Sequence, residues 1–528
     1  MITVYRFLGC FGGDVPAHRL RAAARVHDRS PDGPCVRRGE GWALVSGRTA
    51  FRGRVAAVLD GEIDNRLALF TRLEVRGHAV ADRDGSAVLR AAFELDGAEF
   101  AEHLDGAYAA AVVDARAAPV LVLATDDAGT TPLYYHWDPG RGCLRFASEI
   151  PALLALLTDP PGLWEPGLDA YLTTGAALDG ATLIDGVRML PPGTTAVCSR
   201  GRGLSLVRRA AKAPRTAAVP PRGLGGPGPT PAGAGEAGAD AARLPELLPE
   251  LLWRLGQPDA DPGTLGGYLR FGSARRAGER TALAPDPVGE IAEGRARVEE
   301  AVRARDGVRL ARYADALAPV PADARSRLYS ADYRAYLADR GDAALRLAER
   351  LGAPCEAGPG AARGALTRFE LEVLLPARGL RRLAHLSGAQ GVRARLPVSP
   401  RRAWEAAEAA EARPGAALGG LLTGDGPLAG YVREVLAPGR LRAGGLLDPA
   451  AVRRLLDAQA ARPDDRLAAA VWALLTFEVW REEYALARRT PVRLPARPAV
   501  LLTAPAPRRA GRAASPDRAG AAGAAGPG

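Results

Sequence analysis

Lysine is almost missing from this chain of 528 residues: Lys212 is the only one, so the formal charge of +10 is an arginine charge. Those arginines are scattered among alanine, glycine and proline, and aromatic residues make up only 5%. A nucleic-acid surface needs cations gathered on one face with rings between them, so the basicity reads as compositional bias and no nucleic-acid partner is expected. Cysteine is scarce too. Cys10, Cys35, Cys143, Cys198 and Cys355 are odd in number, far apart and free of any Cys-x-x-Cys pair, which argues against a disulfide framework and a zinc site; no metal site is expected. Long apolar runs are lacking. The longest, Leu467 to Phe477, falls well short of the ~20 residues of a membrane helix, so no membrane partner is expected. No positively charged start leads into an apolar stretch, and the expected location is the cytoplasm. What is present, 47% apolar residues over this length, supplies cores for two or three domains.

Up to about Arg208, short β-like runs such as Ala57-Val58-Leu59, Ala109 to Val113 and Val120 to Ala124 are separated by glycine and aspartate turns. A helical segment, Arg66 to Val75, places Leu67, Phe70 and Leu73 on one side. This alternation predicts an α/β layered domain over residues 1–208. Residues 209–243 form a Pro, Gly and Ala mixture, including Arg222-Gly223-Leu224-Gly225-Gly226-Pro227-Gly228-Pro229, which buries too little to offset chain entropy and reads as a linker. From 244 to 490 the pattern turns helical: Leu244 to Leu255, Val298 to Leu317, Tyr333 to Leu351, Phe369 to Leu386, Ala451 to Ala458 and Leu467 to Leu486 carry apolar residues at three- and four-residue spacing. Asp464 and Asp465 stand where an N-cap belongs. Residues 491–528 return to Pro, Ala, Gly and Arg, and a disordered tail is expected there.

Several motifs follow one another in order. They are Phe7-Leu8-Gly9-Cys10-Phe11-Gly12, Asp60-Gly61-Glu62-Ile63-Asp64-Asn65, Leu104-Asp105-Gly106-Ala107-Tyr108, Asp126-Asp127-Ala128-Gly129-Thr130-Thr131-Pro132-Leu133-Tyr134-Tyr135 and Phe146-Ala147-Ser148-Glu149. The set resembles the glutamine-hydrolysing asparagine synthetase family, whose glutaminase half is a class II amidotransferase. The family versions are Met-Cys-Gly-Ile-Phe-Gly, Asn-Gly-Glu-Ile-Tyr-Asn, Leu-Asn-Gly-Met-Phe-Ala, Arg-Asp-x-x-Gly-x-x-Pro-Leu-Tyr-Tyr and Phe-Ala-Ser-Glu. More faintly, Leu248-Pro249-Glu250-Leu251-Leu252-Trp253 with Gln257-Pro258-Asp259-Ala260, Arg395-Leu396-Pro397, and Trp472-Ala473-Leu474-Leu475-Thr476-Phe477-Glu478-Val479-Trp480 are similar to segments of the synthetase half. The fold this implies is α/β: an N-terminal-nucleophile-type αββα sandwich followed by a mostly helical, truncated asparagine-synthetase-type domain.

The resemblance also marks what has changed. The family attacks the glutamine amide with an N-terminal cysteine thiolate whose own amine is the base. Here Leu8 holds the nucleophile position behind an extension beginning Met1-Ile2, and Cys10, between Gly9 and Phe11 in a strand-like run, reads as a structural thiol. Asp60 replaces the asparagine that, with the backbone of Gly61, makes the oxyanion hole; a carboxylate there repels the developing anion, and losing one donor costs about 3 kcal/mol. Glu62 and Asp84 match residues that bind the glutamine amine, Ser86 replaces a neighbouring glutamate, and Arg48 corresponds to the arginine that grips the carboxylate. The plain alternative is that Glu62, Asn65 and Asp84 satisfy loop backbone donors.

The synthetase half shows matching losses. A Ser-Gly-Gly-x-Asp-Ser-Ser loop, whose backbone amides would cradle pyrophosphate, occurs nowhere in the sequence. The family's Leu-Ser-Gly-x-Gly-Gly-Asp-Glu loop aligns with Leu283 to Glu290, giving a degenerate loop with Asp286, Gly289 and Glu290. Cys-less relatives, the β-lactam synthetases and lasso-peptide cyclases, come nearest through Ala124-Thr125-Asp126-x-Ala128-Gly129-x-x-Pro132-Leu133-Tyr134. The expected role is a non-catalytic homologue or partner subunit, with a homodimer or an intact ligase subunit as partner and no cofactor. The alternative is an active ATP-dependent amide ligase with a rebuilt site, which would need ATP and Mg. A sensor using the vestigial pocket around Glu62 and Asp84 is a third option.

Overall fold

The computed structural model describes residues 6–27, 34–47, 50–78, 84–159, 161–210, 243–284, 286–397, 399–406, 422, 426 and 428–484. Arg48, nearly all of the expected linker, Lys212 and the expected tail lie outside the described residues.

Alternation of side chains about an extended backbone sets up the first half. In β1 (Phe7–Phe11) the rings of Phe7 and Phe11 point to one core while Leu8 and Cys10 point to another. The further strands are β2 (Cys35–Gly39), β3 (Trp42–Ser46), β4 (Ala50–Arg52), β5 (Val55–Ile63), β6 (Gly106–Asp114), β7 (Val120–Thr125), β8 (Tyr134–Asp138), β9 (Cys143–Ala147), β10 (Val187–Met189), β11 (Thr194–Ser199) and β12 (Gly203–Arg208). They form two six-stranded sheets, in the orders β10-β8-β9-β1-β3-β2 and β12-β11-β7-β6-β5-β4. Phe7, Phe11, Leu44 and Phe146 of the first sheet meet Val58, Ala111, Val113 and Leu123 of the second in the core between them. Val55, Ala57 and Leu59, the alternate residues of β5, face outward onto the helices Arg66–Val75 and Gly85–Asp96. Leu8, Cys10, Ala43 and Val45 face the opposite side, where the helices Ala17–His27 and Ile150–Leu156 pack. The layers are therefore helix, sheet, sheet, helix, with the remaining helices gathered beyond the first sheet.

The three β-like runs fall inside β5, β6 and β7, and the helix Arg66–Val75 has the expected limits. Its buried stripe differs. Leu69 and Leu73, one turn apart, are buried, Phe70 is half-buried and Leu67 is 77% exposed. A four-residue step keeps both side chains over sheet and neighbouring helix, whereas the three-residue steps from Leu67 drift round the cylinder.

Among the described residues beyond 243, the regular elements are helices apart from a parallel pair, β13 (Thr281–Leu283) with β14 (Arg393–Arg395). The run from Val298 to Leu317 is two helices, Asp286–Arg303 and Arg309–Leu317, parted around Asp306-Gly307. The run from Tyr333 to Leu351 breaks likewise, at Gly341, into Ala331–Arg340 and Ala343–Glu356. Asp464 caps the helix Asp465–Glu483 by accepting from the amides of Arg466 and Leu467. Trp480 Nε1 donates to the Gly256 carbonyl at 3.1 Å and Tyr484 to that of Trp253 at 2.7 Å, so the two motifs that looked alike to the synthetase half lie against each other. Among the described residues no helix is long and apolar enough to cross a membrane.

Candidate functional site

Position 8, where a nucleophile would be needed, is the interior of a central strand. Leu8 pairs with Val45 on one side and Ala147 on the other and is 0% exposed. Cys10 is buried two residues on, and burial pushes its thiol up, away from reactive thiolate. The mouth of the strand is taken by Arg6. Its guanidinium donates to Asp60 Oδ2 at 3.2 Å and to the Ala384 carbonyl at 2.7 Å, and its Nε lies 3.5 Å from Glu149 Oε1. Burial pulls the Arg6 pKa down, but Asp60 and Glu149 outweigh it and the net displacement is upward.

Gly61, next to Asp60 in β5, has φ +110°, and a Cβ there would come within 2.0 Å of the Ala107 carbonyl oxygen. Glycine is thus required by the strand itself. Glu62 meets two arginines of β14: Arg393 at 2.6 Å and Arg395, which also faces Asp64 Oδ1 at 3.6 Å. Asn65 ties a turn by accepting from the Asp105 amide at 3.0 Å and donating to the His103 carbonyl at 2.8 Å. Asp84 is the N-cap of Gly85–Asp96 and accepts from the Ser86 amide at 3.2 Å. The structure thus brings Asp60, Gly61 and Glu62 together on one strand end, with Asp60 against Arg6. Asn65 and Asp84 do take up backbone donors, whereas Glu62 faces side-chain cations from the helical part.

Of the segment Leu283–Glu290, Leu283 ends β13 and Asp286 to Glu290 open the helix Asp286–Arg303, with Pro287 in the first turn, where a missing amide costs nothing. Gly289 is inside that helix. The Glu290 carboxylate is buried against Arg382 at 3.0 Å and Arg378 at 3.5 Å, and Arg382 also reaches Asp259 Oδ1 at 3.3 Å and Asp261 Oδ2 at 2.7 Å. Burial raises the Glu290 pKa, with Arg382 and Arg378 pulling it back. A carboxylate held this way by guanidinium groups does not fit the task of holding magnesium beside a nucleotide.

Residues 48–205 match the model of the glutamine amidotransferase domain. Two plant proteins from Arabidopsis thaliana are similar: asparagine synthetase [glutamine-hydrolyzing] 3, 35% identical over 99 residues, and asparagine synthetase [glutamine-hydrolyzing] 2, 34% identical over 112. Those stretches are 19% and 20% of this chain and span only 16% and 19% of the two relatives. Residues 48–205 are thus similar to a glutamine amidotransferase domain, and part of the chain is similar to the asparagine synthetases. A solved structure, glutamine phosphoribosylpyrophosphate amidotransferase from B. subtilis complexed with ADP and GMP, aligns at 16% identity and TM-score 0.27, covering 38% of this chain and 49% of that one.

Within the amidotransferase domain, the Asp-x-x-Gly-x-x-Pro-Leu-Tyr-Tyr motif has a structural explanation. Asp126 is buried and accepts from the amides of Tyr108, Ala128, Thr130 and Thr131 and from the Thr130 hydroxyl, tying β6, β7 and the following turn to one carboxylate. Sequence reasoning missed Arg6, Arg393 and the partnership of Glu149. The signal available was a charge immediately before an otherwise apolar strand, which local periodicity does not interpret.

Proposed function

We propose that this protein is a non-catalytic relative of the glutamine-hydrolysing asparagine synthetases, working in the cytoplasm as a partner subunit or scaffold in amide-forming biosynthesis. One observation carries the reading: two acidic groups of the pocket that the resemblance assigns to glutamine are engaged by the chain's own arginines, Asp60 by Arg6 and Glu62 by Arg393 and Arg395, while a third, Asp84, caps a helix. A glutamine amine would have to displace guanidinium groups already paired, of which Arg6 and Arg393 are largely withdrawn from water, and position 8 offers no side chain able to attack its amide. The carboxylate at position 60 lies where an anion would have to be stabilised, which opposes the chemistry further.

The same reading holds for the synthetase half. Glu290 is committed to Arg382 and Arg378, Asp286 to Glu290 of the aligned segment are helix, and the sequence has no Ser-Gly-Gly-x-Asp-Ser-Ser loop. Neither ATP nor Mg is assigned a role. The test is a pair of assays on the full chain, alone and with candidate ligase subunits. Ammonia release from glutamine should be undetectable, as should pyrophosphate release from ATP offered with aspartate or other amino acids. A clear ammonia rate abolished by Cys10→Ala, or pyrophosphate formed by the chain alone, would replace this reading with the active amide ligase.

A further inference from the structure

We propose that the carboxylates of Asp60 and Glu149, the Ala384 carbonyl and the gap left by Gly388 form a guanidinium-binding site, filled in cis by Arg6 and able to take a small guanidinium cation in its place.

The site is assembled from two parts of the molecule. Asp60 lies on β5 and Glu149 follows β9, both in the sandwich, while Ala384 and Gly388 lie one turn apart on the helix Arg381–Ala389. The partners are spread round the cation: Nη1 donates to Asp60 Oδ2 and Nη2 to the Ala384 oxygen, while Glu149 Oε1 lies 3.5 Å from Nε as an ion pair without a hydrogen bond. A planar fork with separated donors and a spread charge meets such an arrangement, whereas an ammonium is a single point with three hydrogens and reaches fewer of the partners. Gly388 shapes the floor: a Cβ there would stand 2.2 Å from Arg6 Nη2 and 3.1 Å from Cζ. The two acids are themselves buried, at 3% and 6% exposure, and a buried carboxylate is costly without a cation beside it. His385 beside the site supplies none, since burial, with the charges of Arg6 and Arg381, holds its pKa well below the usual imidazole value. Arg6 therefore acts as a latch that staples the entry to β1 onto the helical half, and its receptor selects for guanidinium shape as well as for charge.

The test uses full-length Arg6→Ala. It should melt below the wild type, and millimolar methylguanidinium should recover most of the loss, while methylammonium and neutral urea at the same concentration recover little. Adding Glu149→Gln should weaken methylguanidinium binding by about tenfold or more. Stabilisation of Arg6→Ala by methylguanidinium no greater than by methylammonium, or no greater than that of the wild type, would overturn the proposal. Should Arg6→Ala not fold, Gly388→Ala provides a second route: its methyl intrudes on Nη2, so Arg6 should become reactive to phenylglyoxal by peptide mapping while the wild type stays protected. Equal protection in both would reject the site. These readouts are binding and side-chain reactivity, separate from the ammonia and pyrophosphate assays.

Discussion

Tyr134 of β8 and His385 of the helical half share a hydrogen bond of 2.9 Å and stack their rings with centroids 5.8 Å apart. Both are buried, and His385 Nδ1 has no hydrogen-bond partner, so Nε2 carries the ring's whole polar satisfaction. Tyr134→Phe leaves that nitrogen buried and unpaired and should cost about 1–3 kcal/mol by urea unfolding. The double variant Tyr134→Phe/His385→Phe removes both polar groups and should lose less than the tyrosine change alone. A double variant weaker than the single one would show that the ring contact, not the hydrogen bond, joins the halves.

The same imidazole gives a pH dependence. Its folded pKa is depressed, first by burial and then by the charges of Arg6 and Arg381, while in the unfolded chain it returns to the ordinary ~6.5. Between those two values the unfolded state binds the extra proton, so stability is complete above the unfolded pKa and falls as pH drops below it, by at most about 1.4 kcal/mol per unit. Asp126 and Glu290, whose pKa values burial raises, act in the opposite sense at lower pH. Comparing wild type with His385→Phe from pH 7.5 down to about 5.5 isolates the histidine, because the carboxylates are common to both. The wild type should lose stability more steeply over that interval; parallel curves would contradict a buried neutral ring.

Gly61 offers a test of whether its motif serves the strand. Gly61→Ala sets a methyl 2.0 Å from the Ala107 carbonyl oxygen at φ +110°, and should cost about 2–4 kcal/mol by thermal unfolding. Gly53→Ala, at φ +60° with nothing within 4 Å of the added carbon, isolates the backbone conformational penalty and should cost only about 1 kcal/mol. Equal losses would mean that conformation alone, and not close approach of β6, fixes the residue.

The parts of the fold legible in the sequence are those set by local periodicity. The strands β5, β6 and β7 and the helix Arg66–Val75 could be placed, because alternation and turn residues act over a few positions, and Asp464 could be identified as a cap for the same reason. Where one apolar pattern ran through a break, as at Asp306-Gly307 and Gly341, two helices read as one, since the facing residues on both keep the same spacing. The run from Phe369 to Leu386 hides a different departure: Glu370–Leu374 and Pro376–Leu380 are π-helical, and the wider turn accompanies the engagement of Arg378, Arg381 and Arg382 with Glu290, Asp259 and Asp261. The candidate site was half legible. Asp60, Gly61 and Glu62 stand on one strand, but their arginine partners come from as far as 333 positions away, and no local pattern encodes that separation.

A thiol placed at position 8 should not bring about glutamine hydrolysis. Leu8→Cys would place sulfur in a fully buried strand position between Val45 and Ala147, where burial raises a thiol as it does for Cys10. Arg6 precedes it in the chain, so no free amine can serve as its base. The variant should release no ammonia from glutamine and should lose about 2 kcal/mol from the vacated volume. Measurable turnover would mean that Arg6 and the strand entry rearrange, and would count against the non-catalytic reading proposed above.

Arg382 decides whether the buried acids of the helical half are held by ion pairing or merely enclosed. Its guanidinium reaches Asp259, Asp261 and Glu290, and the pull of burial on its pKa is outweighed by those three carboxylates, so the net displacement is upward. Arg382→Leu removes the shared cation and leaves Glu290 with Arg378 and Asp259 with Arg381, at 3.5 and 3.6 Å; a loss of about 3–5 kcal/mol by urea unfolding is expected. Adding Glu290→Leu withdraws one of the stranded charges and offers an apolar contact to the new side chain, so the double variant should be the more stable of the two. That reversal is the decisive outcome, because enclosure alone predicts that a second core substitution adds its own cost to the first.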